Sequence, residues 1–133
     1  MLSNMATNNF KVSIVISSVD VPAEKLVEIF GESTIRRKGE AVSSSLGAPL
    51  RDHSAWIRES ALSDSSAPEE QVLDLIDLIE RKFPSLIGIR EHLQIDIWCM
   101  VTNEADQCGF SFSFVTLEKI AGIGANLIFD VYR

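Results

Sequence analysis

Cysteine and histidine are both scarce in this chain, with two of each in 133 residues. Cys99 and Cys108 stand nine positions apart with no CxxC, which excludes a cysteine–histidine zinc site and a disulfide framework. Two free thiols are expected, Cys99 in the core and Cys108 near a turn from which it could approach Cys99. No metal and no cofactor is expected. Long apolar runs are missing too: none reaches the roughly 18 residues of a membrane span. The opening MLSNMATNNF has neither the basic nor the apolar region of a signal peptide. A cytoplasmic protein without a membrane partner is expected. Positive charge is also short, with Lys+Arg 12 against Asp+Glu 19, a formal net charge of −7 and a pI near 4.7. A phosphate backbone would be repelled, which argues against nucleic acid, while a basic protein partner would be attracted.

What is present suits one compact core. At 46% hydrophobic and 23% charged, the chain reads as a single domain over 1–133, with residues 1–9 disordered and 39–54 an irregular loop. FKVSIVISS alternates Phe10, Val12, Ile14 and Ile16 against Lys11, Ser13, Val15 and Ser17, and LQIDIWCMV alternates Leu93, Ile95, Ile97, Cys99 and Val101 against Gln94, Asp96, Trp98 and Met100. Period two is the mark of a half-buried strand. A further strand is expected around HSAWIRES, with Trp56 anchored in the core and Arg58 beside it or at its rim. GFSFSF repeats the alternation, so Phe110, Phe112 and Phe114 are expected to enter the core from a strand, each ring contributing roughly 1.5 to 3 kcal/mol. NLIFDVY closes the chain as a last strand.

Three helices are expected between the strands. Pro22 opens a short one over 22–30, striped by Ala23, Leu26, Val27 and Phe30 and ended by Gly31. SSAPEEQVLDLIDLIERKF is the strongest, with a Ser66–Glu69 capping box and an apolar stripe of Val72, Leu75, Ile76, Ile79 and Phe83. Asp74, Asp77 and Glu80 lie along its other side and read as a solvated face. The third starts at Thr116 as N-cap, points Leu117, Ile120 and Ile123 inward and ends at Gly124.

The fold class is therefore α+β, an antiparallel or mixed sheet covered by helices. Its order is a ferredoxin-like (split βαβ) succession with an added N-terminal strand and helix. One consequence is a helix-free sheet face carrying Trp98, Met100, Ile128 and Tyr132. Intramolecular cover by the N-terminal strand and the 33–66 segment is favoured there over a homodimer.

The pieces Gly31, TIRRKG (34–39), Trp56, GFSFS (109–113) and FDVY (129–132), in that order, resemble the bacterial domain-of-unknown-function family 4279 over roughly residues 10–132. The chain departs from the pattern in the Ser-rich stretch before Trp56 and in the connector 85–92. The resemblance implies a small cytoplasmic bacterial protein and no particular activity, so it carries over no catalytic residue.

No nucleophile with a base, no metal-ligand set and no phosphate loop is visible, and Asp52 is merely the sequence neighbour of His53, so no catalytic residue is assigned. A non-catalytic binding protein, an immunity-like partner of a basic protein, is the leading reading over an enzyme. The alternative is a small-molecule sensor or enzyme for an anion, with Arg36, Arg37, Lys38, Trp56 and Arg58 converging on a pocket near the basic turn.

Overall fold

The computed structural model describes residues 8–103 and 109–132. It has five strands and three helices: β1 (Asn8–Ser18), α1 (Ala23–Phe30), β2 (Thr34–Arg36), β3 (Ser54–Glu59), α2 (Pro68–Glu80), β4 (Gln94–Asn103), α3 (Phe114–Gly122) and β5 (Ala125–Tyr132). Two 3-10 turns, Phe83–Leu86 and Arg90–His92, connect α2 to β4. The strands form one mixed sheet in the order β2-β3-β1-β4-β5, antiparallel throughout except for the parallel β4–β5 pair. The class is α+β, as expected. No helix among the described residues is long and apolar enough to cross a membrane.

The alternation read from the sequence sorts the sheet into two faces. Val12, Ile14, Ile16, Trp56, Ile95, Ile97 and Cys99 are buried on one side, under α1, α2 and α3. From α2 the stripe Val72, Leu75, Ile76 and Ile79 completes this core, while Phe83 is only partly buried. Gln71 is the polar exception, 2% exposed. Beyond residue 59 β3 no longer accompanies β1, and the Gln71 amide takes over part of its bonding. Its Oε1 accepts from the Val12 N–H at 3.1 Å, and its Nε2 donates to the Phe10 carbonyl at 2.7 Å and the Ser66 carbonyl at 3.1 Å. Buried backbone groups are thereby paired where the ladder runs out.

GFSFSF is not a strand. Residues 109–113 are irregular and Phe114 begins α3, because β4 already has β1 on one side and β5 in parallel on the other. A parallel neighbour needs a crossover, and this segment with α3 provides it. Phe110 and Phe112 instead form an aromatic cluster with Phe129, at centroid separations of 5.5 and 6.1 Å, and Phe10 joins at 5.6 Å from Phe110. Only Phe112 of the expected trio packs partly against the core, and Phe114 lies exposed on the helix. The expected ferredoxin-like order over the C-terminal part therefore does not form. The succession β-α-β-β-α-β runs from β1 to β4, and the additional helix and strand follow it.

Two helix starts differ from expectation by a few residues. The cap of α3 is Ser113, whose Oγ accepts from the Thr116 N–H, while Thr116 is buried inside the first turn and Leu117 faces outward. The cap of α2 is Ala67, so Ser66 and Glu69 miss the capping-box spacing, and the Glu69 carboxylate accepts from the Ser113 N–H instead. Asn8 and Asn9, expected among the disordered residues, pair with Asn103 and Thr102 of β4. Of the segment 39–54, residues 39–53 are irregular apart from one bridge, Ala41–Leu50, and Ser54 begins β3.

Candidate functional site

On the side of the sheet away from the helices, Lys11, Ser13, Val15 and Ser17 of β1 lie beside Gln94, Asp96, Trp98 and Met100 of β4, by the same alternation that fills the core. Trp98 opposes Ile128, and Thr102 opposes Tyr132. Trp98, Met100, Ile128 and Tyr132 thus share one surface, with Trp98 36%, Met100 38% and Tyr132 47% exposed. Among the described residues the expected cover by the N-terminal strand and the 33–66 segment is not there. β1 lies in the middle of the sheet and residues 34–36 and 54–59 lengthen it as β2 and β3, so among the described residues little is left to fold over this face. Only Asp52 and His53 of the long segment reach its rim.

At one end of this face is an open groove of ≈ 640 Å³. Antiparallel pairing of β1 with β4 brings the exit of one strand beside the entrance of the other, Ser17 against Gln94. Ser18 secures the junction: its hydroxyl donates to the His92 carbonyl at 2.7 Å and accepts from the Val21 N–H at 2.9 Å. Asp20 and His92, 72 positions apart in sequence, meet there, with Oδ2 and Nδ1 at 3.1 Å. His53 lies on the same groove with Nδ1 2.6 Å from Asp52 Oδ1, a bond that holds the Asp52 carboxyl below the usual carboxylate range. Glu91 adds a third carboxylate, its Oε1 3.6 Å from His92 Nε2. The fourth, Asp96, is buried in the floor, where Gln94 Nε2 and Asn126 Nδ2 each donate to it at 2.9 Å.

Both histidines of the chain and four carboxylates therefore line one groove whose wall includes Trp98, and among the described residues no lysine or arginine does. Such a lining favours a cation, and an indole face beside carboxylates is a surface on which a guanidinium or ammonium group can rest. Among the described residues no group of three or more His, Cys, Asp or Glu side chains is placed to hold a metal ion. Sequence reasoning passed over Asp20 and His92. The one available signal was the antiparallel register of β1 and β4, which no local pattern encodes.

The residues expected to converge near the basic turn are divided between the two faces. Trp56 is wholly buried, its indole N–H donates to the Gly31 carbonyl at 2.8 Å, and Phe30 packs on it at 5.3 Å. It therefore presents no surface to a ligand, because it fills the core beneath α1. Arg58 lies over the Trp56 ring at 4.9 Å and donates to the Glu32 carbonyl. Arg36 follows Ile35, which opposes Trp56, and so projects from the other side. Arg37 and Lys38 do stay together, lining a cavity of ≈ 320 Å³ at the start of α1. Arg37 is committed to Glu24 at 2.6 Å, which lowers the Glu24 carboxyl, and the Lys38 ammonium donates to the Val19 carbonyl at 3.2 Å. Cys99 is buried, and burial pushes its thiol up to about 12. Cys108 lies outside the described residues.

Compared with known proteins, the chain matches over residues 8–133 the family described as Domain of unknown function (DUF4279). The chain belongs to this family. No curated protein and no solved structure matches it.

Proposed function

We propose that this family member is a non-catalytic binding protein whose open sheet face receives a basic protein partner, in the manner of an immunity protein that neutralises its target by charge complementarity. The observation that carries this reading is the groove with four carboxylates and, among the described residues, no lysine or arginine, set beside the exposed Trp98, Met100 and Tyr132 and the half-buried Ile128. Apolar anchors next to an opposite charge are what a specific, electrostatically steered interface uses. The same charge disfavours nucleic acid, and a bacterial cytoplasmic setting belongs to the proposal. An arginine-rich peptide titrated against the protein by fluorescence anisotropy tests it. Binding should weaken with salt and be lost in the combined variant Asp20→Asn, Asp52→Asn, Glu91→Gln, which changes only exposed carboxylates. Undiminished binding to that variant would remove the groove from the interface.

A second reading, an anion sensor or enzyme at the basic turn, is supported by the smaller cavity with Arg37 and Lys38 at the start of α1. Glu24 and Glu40 already pair with Arg37 and weaken it. Inorganic phosphate that raises the melting temperature of the parent but not of Lys38→Ser would move the site there.

A further inference from the structure

The two edges of the sheet are built differently. β2 is three residues long and ends in Arg36, which blunts it as a template for further strands. β5, at the other edge, is eight residues long, pairs with β4 alone among the described strands, and carries a single charge, Asp130. Its side chains remain exposed on both faces of the sheet: Phe129 at 43% and Val131 at 60% on the helix side, Tyr132 on the open side. A long edge strand rich in apolar side chains is a site for another strand.

We infer that this edge pairs with the β5 strand of a second copy, antiparallel about a two-fold axis, joining the two sheets into one. A two-fold axis perpendicular to the sheet preserves its faces, so each residue must oppose one on the same face. This leaves few registers. Centring on Asp130 sets two like charges directly against each other, which is destabilising. With Phe129 at the centre, Asp130 opposes Ile128, and with Leu127 at the centre, Asn126 opposes Ile128. Centring on Ile128 matches every pair: Ile128 with itself, Leu127 with Phe129, Ala125 with Val131 and Asn126 with Asp130. Asn126 spends one amide hydrogen on Asp96; the other can reach Asp130 of the second copy. The strand is self-complementary in that register alone among the four. Because the axis preserves faces, the assembly presents both acidic grooves on the same side. The edge pairing itself does not depend on what the grooves bind.

Light scattering and register-specific cross-linking test this. In a Cys108→Ser background, mild oxidation should convert Ile128→Cys into a covalent dimer, since the Cα atoms of directly opposed residues lie about 4.5 to 5.5 Å apart, within the span of a disulfide. Asn126→Cys and Asp130→Cys should stay uncross-linked singly and cross-link when combined. Circular dichroism checks that each variant is folded. The parent should scatter as a dimer. A monomeric mass at every concentration overturns the inference, and so does a dimer in which Asp130→Cys alone cross-links as readily as Ile128→Cys. A dimer that cross-links through Trp98→Cys but not through Ile128→Cys overturns it in favour of stacked open faces.

Discussion

On the helix-covered side of the sheet, Val12, Ile14, Ile16, Trp56 and Ile97 are completely buried, whereas on the other side of the same strands Trp98 and Met100 keep more than a third of their surface in water. Both faces follow from one period-two pattern, and both contain a tryptophan. What separates them is that α1, α2 and α3 all pack on one side, through contacts of α1 with β3, α2 with β1 and α3 with β5. The covered face supplies the burial that holds the fold. The uncovered face keeps Asp20, Asp52, Glu91, both histidines and Trp98 accessible. Stability thus resides on one side of a single sheet, and the proposed recognition is placed on the other.

The comparison can be broken most directly at the two tryptophans. Trp56→Ala should cost about 3 to 5 kcal/mol, since it empties a buried site against Phe30 and leaves the Gly31 carbonyl without its indole donor. A urea midpoint close to the parent would mean that the covered face is not the seat of stability. Gln71→Ala should come next, at roughly 2 to 4 kcal/mol, because the Val12 N–H and the Phe10 carbonyl lose their partner in a buried setting. If that variant unfolds with the parent, water replaces the amide and the end of β1 is wetter than its burial implies. Trp98→Lys should be the mildest, about 1 kcal/mol or less, since a lysine stem can lie along the sheet and its ammonium meets nearby carboxylates. Its effect belongs in binding of the arginine-rich peptide, which should fall sharply. With β5 edges as the contact, the mass by light scattering should not change. A Trp98→Lys protein that unfolds would show the open face to be structural.

Much of the covered face was legible from periodicity, because a strand or helix buried on one side writes its environment into residues two, three or four positions apart. β1, β3 and β4 stand close to where their alternation puts them, and α2 buries four of the five residues of its stripe. GFSFSF shows the limit of that signal. Its alternation is as clean as that of β4, yet it is not a strand, because the neighbouring position in the sheet belongs to β5. The groove was illegible for a related reason: Asp20 and His92 are joined only by the pairing of β1 with β4, and Asp52 with His53 looked like an accident of adjacency.

From the amino-acid order alone came the class of the fold, the two-sidedness of its strands, the burial of Trp56 and the acidic charge, since each depends on local spacing or on composition. The tertiary structure alone decided the order of the strands, the side on which all three helices lie, the gathering of two histidines with four carboxylates and the bare edge of β5. Those outcomes depend on which distant segments compete for the same neighbour, and a chain settles that competition only when it closes its sheet.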